Sequence, residues 1–279
     1  MNEKVGAYQV IDFPAARRDM PVINELNARK HSMYGLLEVD VTIAKQFIAE
    51  HKAQTGENLS FTGYLAFCLA RAVDENKAVQ AYRKGRKQLV VFDDVDVGLM
   101  LERKIGEQST LMGHVIRGAN HKSYREIHQE IRAAQAQPLP PHGGMPTWFR
   151  SALLLPWPLS SWFQALVRLA VNHDPTIFTS MAGTVGITAV GMFGKGQGGW
   201  GVVPIIHGLG LIVGGTAGKP AIVAGRMEPR EILSLTMVFD HDVIDGAPAT
   251  RFARRLVELI ECGSGLDEKQ GVTTDPQSG

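Results

Sequence analysis

The sequence predicts an α/β protein, a two-layer sandwich in which helices cover one mixed β-sheet. Eight strand-like runs and four segments of helical periodicity follow one another without an internal repeat or a convincing interdomain linker. The chain has 279 residues, 44% of them apolar, which is enough for one sizeable core. We therefore predict a single domain over residues 1–266 and a polar tail at 267–279 whose composition is typical of disorder.

The spacing of apolar residues predicts the individual elements. They recur every three or four positions at 42–52, 60–76, 123–134 and 247–261, which predicts four helices. Ser60 is a favourable N-cap for the second helix, and Asp40 to Thr42 serves the first. Apolar or β-branched runs predict strands at 34–41, 88–92, 95–101, 111–117, 184–190, 209–213, 221–224 and 233–239. The basic run 83–87 and the glycine-rich run 214–219 are predicted turns, with phosphate or CoA contact as the alternative for 83–87.

Composition excludes several classes of protein. A formal charge of +1 at pH 7, without a long Lys/Arg run, argues against a nucleic-acid-binding surface. Cys68, Cys262 and the scattered histidines lack metal-ligand spacing, so no metal site is expected. The apolar stretch 152–171 is broken by two prolines and by Arg168, which argues against a membrane span. Reduced thiols and an N-terminus without a signal-peptide pattern predict a cytoplasmic protein.

The most informative segment reads Phe-Asp-His-Asp-Val-Ile-Asp-Gly, an H-x-x-x-D-G motif. A predicted strand, 233–239, leads into it, and Pro248 suits the first turn of the helix that follows. His241 is therefore placed at a fixed point on a rigid element. Asp245 follows four residues later, and Gly246 allows a tight turn. A pre-positioned imidazole near a carboxylate suits general-base chemistry.

This motif and its flanks closely resemble the active-site segment of the 2-oxo acid dehydrogenase acyltransferase (E2) catalytic domains; chloramphenicol acetyltransferase has a similar motif and fold. A second segment, 183–194, reads G-T-V-G-I-T-A-V-G-M-F-G and is similar to the family's G-T-F-T-I-S-N-L-G-M-F-G. The resemblance implies a chloramphenicol acetyltransferase-like, trimeric fold. It also implies that His241 is the general base of acyl transfer, that Asp245 holds the site together, and that Thr188 is the oxyanion donor.

Thr188 stands where the family usually carries Ser. A threonine hydroxyl can make the same hydrogen bond, although its methyl group restricts the rotamer and narrows the pocket. An ordinary β-branched strand residue is the alternative interpretation. The sequence has no G-x-S-x-G segment, which argues against a covalent acyl-serine.

The N-terminal part carries a third similarity. Residues 11–13, the pair Arg17 and Arg18, and the strand that follows are similar to the start of chloramphenicol acetyltransferase, where an arginine pairs with the motif aspartate. Arg18 is the best match for that arginine, and Arg17 and Arg29 are alternatives. Taken singly, each of the three is also typical of surface charge. The resemblance thus implies that Arg18 and Gly246 support the site.

The function implied by the resemblance is acyl transfer between a CoA or lipoyl thioester and an acceptor, without a covalent acyl-enzyme or a metal. His241 would take the proton of the thiol as its sulfur attacks the thioester, and Thr188 would stabilise the oxyanion. In the families resembled, the site lies between subunits of a trimer, so a homotrimer is expected. CoA, or the lipoyl group of a separate protein, would arrive in trans.

The chain also departs from the family pattern. Asp242 and Ala189 replace the Arg and Asn that usually follow the motif His and Ser, which changes the charge and hydrogen bonding of the site. A non-catalytic trimeric scaffold is therefore the alternative function. The segment 137–179 is a predicted apolar insertion, either a lid over an acyl pocket or a helix packed on the core or at a subunit contact. The polar C-terminal residues favour a free trimer over a cage. The acyl group and the acceptor stay open, antibiotics included.

Overall fold

The computed structural model describes residues 6, 8–13, 24, 30–105, 108–137, 148, 151–152, 155–156, 158–190 and 196–266. The strands are β1 (Ser32–Asp40), β2 (Tyr82–Lys84), β3 (Gln88–Val90), β4 (Val97–Ile105), β5 (Gln108–Ile116), β6 (Val185–Ala189), β7 (Leu209–Val223) and β8 (Arg226–Asp240). The α-helices are α1 (Thr42–Thr55), α2 (Phe61–Glu75), α3 (Tyr124–Ala136), α4 (Leu159–His173), α5 (Thr176–Ala182) and α6 (Gly246–Glu261). Short 3₁₀ helices lie at Lys77–Gln80 and Ala119–His121.

Six strands form the central sheet in the order β1-β8-β7-β6-β4-β5, and β2 pairs with β3 in a separate hairpin. β6 runs parallel to both β4 and β7, whereas the other neighbours are antiparallel. The predicted mixed sheet with covering helices is therefore confirmed. The predicted basic turn at 83–87 is confirmed as the link between β2 and β3, with Gly85 in the left-handed region at φ +62°.

The two faces of the central sheet differ. Residues such as Leu211, Leu235 and Met237 alternate onto the face that packs against the helices, where they join the main core. On the other face, Ile212 and Val238 form a smaller cluster with Ile205. The helical face thus holds the main core, and the other face is covered in part by the segment that leads into β7.

Caps explain why the predicted helices begin where they do. The Ser60 hydroxyl accepts a hydrogen bond from the Gly63 amide at 3.1 Å, as predicted. Asp40 accepts from the Thr42 amide at 2.9 Å at the start of α1. Helix α3 begins with a reciprocal capping box between Ser123 and Glu126.

The prediction of a turn at 214–219 is wrong. β7 continues through this run with a bulge between Val213 and Thr216, and the true turn of the β7–β8 hairpin is at Ala224 and Gly225. The glycines serve close packing instead, because a Cβ at Gly214 would lie 2.2 Å from the Gly199 carbonyl oxygen. The two predicted strands at 209–213 and 221–224 are therefore parts of one strand of 15 residues.

The predicted insertion 137–179 and the predicted tail 267–279 are described only in part or not at all. The tail and most of 138–157 lie outside the described residues. The described part of the insertion forms α4 and α5, which lead into β6. Within the described ranges, no helix has the length and apolar character that crossing a membrane requires.

Candidate functional site at the end of strand β8

His241 lies in the turn immediately after β8. Its backbone amide donates to the His31 carbonyl at 2.9 Å, which ties the turn to the start of β1. The amides of Val243 and Ile244 both donate to the Asp240 carbonyl at 3.0 Å, and the Ile244 side chain is buried in the core. The turn is therefore fixed from both sides. The His241 side chain is 53% exposed, so its ring is accessible to a substrate.

Asp245 lies beside this ring, as the motif predicts. One carboxylate oxygen is 3.9 Å from His241 Nδ1, which is an ion-pair distance but too long for a hydrogen bond. Asp245 is the N-cap residue of α6, although its side chain caps no amide there. Nε2 of His241, on the other side of the ring, has no hydrogen-bond partner among the described residues.

Gly246, the predicted support of the turn, is the first residue of α6. Its φ is not in the left-handed region, and a Cβ built on it would meet no atom within 4 Å. The protomer therefore gives no steric reason for glycine at this position. Pro248 lies in the first turn of α6, as predicted.

Asp242 joins three parts of the chain at the site. One of its carboxylate oxygens pairs with His31 Nδ1 at 2.8 Å, and the other accepts from Arg83 of β2 at 2.8 Å. The hydrogen bond from His31, and to a smaller extent the one from Arg83, holds the pKa of Asp242 below its usual range. The residue that departs from the family pattern therefore anchors the histidine turn to β1 and to the basic hairpin. Sequence reasoning missed His31 and Arg83 as its partners.

A second group of polar residues lies behind the turn. Lys30 Nζ donates to the Ile206 carbonyl at 2.5 Å and lies 5.4 Å from the centre of the Tyr82 ring. Burial lowers the pKa of Lys30 to about 8, against the opposing effect of Asp240. The Tyr82 hydroxyl donates to the Thr184 carbonyl at 2.9 Å and accepts from the Gly208 amide at 3.2 Å. No local sequence pattern indicates these contacts.

His207, which the sequence suggests only as a scattered histidine, attaches α5 to the sheet. Its Nε2 donates to the Ala182 carbonyl at 2.9 Å, and its ring lies against Phe178 with centroids 5.6 Å apart. A Cβ at Gly186 would lie 2.3 Å from His207 Nδ1. Glycine at 186, where the related motif has Thr, therefore makes room for this ring. Burial lowers the pKa of His207 to about 4.

Thr188 does not meet His241 within one protomer. It lies near the end of β6, paired with Ile212 of β7, which in turn pairs with Thr236 of β8. His241 follows Thr236 by five residues. Thr188 and His241 are therefore about 17 Å apart along the strand direction. Thr188 is only half-buried.

The arginines predicted to support the site, Arg17, Arg18 and Arg29, lie outside the described residues. The pairing of Arg18 with Asp245 stays a prediction. Among the described residues, no group of three or more His, Cys, Asp or Glu side chains is arranged to hold a metal ion.

Comparison with protein families identifies the chain. Residues 19–138 and 157–266 match the sequence profile of the 2-oxoacid dehydrogenases acyltransferase (catalytic domain) family. The chain belongs to this family. The unmatched residues between the two stretches lie inside the predicted insertion 137–179. A search among curated proteins gives no match.

Solved structures show the same fold. The chain is 17% identical to a probable dihydrolipoamide acetyltransferase from Listeria monocytogenes, covering 95% of this chain and 99% of that one at a TM-score of 0.64. It is 20% identical to the Azotobacter vinelandii dihydrolipoamide acetyltransferase, covering 92% and 94% at 0.64. Similarity to chloramphenicol acetyltransferase is 16% identity over 90% and 99%, with a TM-score of 0.51. The chloramphenicol acetyltransferase-like fold is therefore confirmed.

Proposed function

We propose that this member of the acyltransferase family transfers an acyl group between a thioester of CoA or a lipoyl group and an acceptor. The observation that carries the proposal is His241, held rigidly at the end of β8 with half of its side chain accessible and Asp245 beside Nδ1. Nε2 accepts the proton of the thiol or hydroxyl that attacks the thioester carbonyl, and the carboxylate 3.9 Å away stabilises the resulting imidazolium. When the tetrahedral intermediate collapses, the bond between the carbonyl carbon and the donor sulfur breaks, and the imidazolium returns the proton to the leaving thiolate. No covalent acyl-enzyme is needed.

The separation of Thr188 and His241 supports an active site between two copies of the chain. In one protomer the two residues are roughly 17 Å apart along the strand direction, so a single copy cannot bring both side chains to the same substrate carbonyl. A homotrimer with His241 of one copy facing Thr188 of the next restores the pair. The Thr188 hydroxyl then donates to the oxyanion of the tetrahedral intermediate, a contact worth about 3 kcal/mol in comparable enzymes.

A comparison with one solved relative agrees with this assignment. The Azotobacter vinelandii enzyme was studied for the catalytic roles of a serine, and of a histidine and an asparagine four residues apart. His241 and Asp245 have the same spacing, and Thr188 precedes His241 by nearly the same number of residues as that serine precedes its histidine.

The free thiols Cys68 and Cys262 further support a reducing compartment such as the cytoplasm.

Acyl-transfer kinetics test the proposal. The full-length protein is assayed with a panel of acyl-CoAs against dihydrolipoamide, a separate lipoyl protein and small hydroxyl acceptors. We expect His241→Ala to lower kcat/KM by about 10²–10⁴-fold, because the general base is lost. The control is His121→Ala, which removes an exposed histidine outside the site. If the wild type and His241→Ala are equally inert with every pair, a non-catalytic trimeric scaffold becomes the better interpretation.

Thr188 is tested by two substitutions of similar size. Thr188→Val removes the hydroxyl and should cost about 10²–10³-fold in kcat, whereas Thr188→Ser should retain most of the activity. The mixed-subunit experiment then tests the shared site. Inactive His241→Ala and Thr188→Val chains, mixed and reassembled, should recover part of the activity if the two residues act in trans. Recovery of none would argue against a site between copies.

A further inference from the structure

Helix α4 carries a row of large apolar side chains that the described protein does not cover. Leu159, Trp162, Leu166 and Leu169 are spaced three and four residues apart and so lie on one face of the helix. They are 60%, 78%, 63% and 67% exposed. We call these four residues the outer stripe. A contiguous apolar surface of this kind is typical of a site of interaction.

The basic hairpin β2–β3 lies beside this helix and contacts it. The pKa of Asp174, next to the C-terminal end of α4, is lowered mainly by hydrogen bonds from Thr176 and also by the positive charge of Lys84. Arg86 and Lys87 are exposed, and neither forms an ion pair with a carboxylate that the structure describes. Exposed positive charge, unpaired within the part of the chain that the structure describes, therefore flanks the outer stripe.

We propose that the outer stripe and the basic hairpin together bind the surface of a lipid bilayer that contains anionic lipids. Leu and Trp side chains enter the boundary between headgroups and acyl chains, and the hairpin cations face the lipid phosphates and carboxylates. Helix α4 contains no Asp or Glu among its 15 residues, so it presents no negative charge to such a surface. A bilayer has an apolar layer next to a layer of anionic headgroups. The outer stripe and the basic hairpin are complementary to it, because they place an apolar surface next to positive charge. The inference does not depend on acyl transfer.

Flotation of the full-length protein with vesicles tests the proposal. Phosphatidylcholine vesicles with and without phosphatidylserine are compared at equal total lipid and at low and high salt. We expect the protein to float with the phosphatidylserine vesicles, more weakly with phosphatidylcholine alone, and less as salt rises, because salt screens the charges.

Two double variants separate the two parts of the surface. Trp162→Ser with Leu166→Ser should lower the partition coefficient on both kinds of vesicle by about 10-fold or more, because apolar burial is lost. Arg86→Ser with Lys87→Ser should lower it by about 10-fold only where phosphatidylserine is present. All four side chains are exposed, so the fold should tolerate these changes, and thermal unfolding of each variant verifies this.

The control replaces two equally exposed apolar residues elsewhere. Ile222 and Met227, each 77% exposed, lie near the tip of the β7–β8 hairpin, and Ile222→Ser with Met227→Ser should bind as wild type. Wild type that fails to float with phosphatidylserine vesicles overturns the proposal. So does a stripe variant that binds as wild type, or a control that loses as much binding as the stripe variant.

A second copy of this chain is the rival occupant of the stripe. Light scattering without lipid distinguishes the two, because a subunit contact must affect assembly. A Trp162→Ser with Leu166→Ser variant that keeps the wild-type mass supports the bilayer. A smaller mass identifies the stripe as a contact between copies, and the bilayer proposal then fails.

Discussion

Helices α4 and α6 have nearly the same length, 15 and 16 residues, and both are amphipathic, yet the protein uses them differently. α6 buries five side chains in the main core, where Phe252 packs edge-on against Phe239 of β8 with centroids 6.0 Å apart. In α4 none of the described side chains is fully buried, and Trp162 and the three leucines of the outer stripe are exposed. Apolar spacing therefore predicts a helix and its apolar face, but it does not reveal which surface covers that face.

The largest expected effect is on α6. Leu256→Ala removes a side chain that is fully buried in the core. We expect the free energy of unfolding to fall by about 2–5 kcal/mol, because apolar burial is lost and a cavity is left. Urea denaturation measures this. A cost below about 1 kcal/mol would mean that α6 is packed far less tightly than its burial indicates.

The attachment of α5, which follows α4, should depend on pH. The pKa of His207 is about 4 in the folded protein, below its ordinary value of 6.5. The unfolded chain therefore binds the proton first as pH falls, and stability declines between about pH 6.5 and 4 by up to about 3 kcal/mol. Above this window His207 makes no pH-dependent contribution.

His207→Gln keeps a donor for the Ala182 carbonyl but cannot titrate. We expect this variant to lose less stability than wild type between pH 6.5 and 4, as measured by urea denaturation at a series of pH values. Equal slopes for the two proteins would show that burial does not hold His207 neutral in the folded protein.

A smaller effect is expected where the basic hairpin meets the histidine turn. Asp242→Asn weakens the contacts to His31 and Arg83, and we expect a loss of about 1 kcal/mol or less, because these partners are exposed. The pKa of Asp242 is lowered by folding, so its stabilising contribution is present above the ordinary carboxyl value and is lost as pH falls through the folded pKa. Wild type and variant should therefore converge in acid. A difference that grows toward low pH would contradict this assignment.

The smallest effect completes the comparison. Leu166→Ala makes the same change as Leu256→Ala, but on the outer stripe of α4, where Leu166 is 63% exposed. We expect a change within about 0.5 kcal/mol in dilute solution. A loss comparable to that of Leu256→Ala would show that another part of the protein or another copy covers the stripe.

Much of the fold follows from local sequence. The starts of α1, α2, α3 and α6 were predictable within one or two residues because each combines apolar periodicity with a cap or an early proline. The continuity of β7 was not predictable. Gly214 and Gly215 are as typical of a turn as of a strand that another segment approaches closely. Only the Gly199 backbone, pairing with Gly215, decides between them.

Only part of the candidate site was likewise predictable from the sequence. His241 and Asp245 were predictable because four residues of one turn bring them together. The partners of Asp242 were not, because Arg83 precedes it by 159 residues and His31 by 211. Contacts at such separations depend on the order of strands in the sheet, which local periodicity does not encode.

The sequence by itself determined the starts of four helices, most of the strands, the family motif and the position of His241 at the end of a strand, because these depend on neighbours a few residues apart. The tertiary structure decided that Asp242 ties three segments together, that Thr188 lies too far from His241 to act with it in one protomer, and that α4 turns its leucines outward. Each of these depends on how distant segments pack, since burial and pairing are properties of the folded surface and not of local sequence.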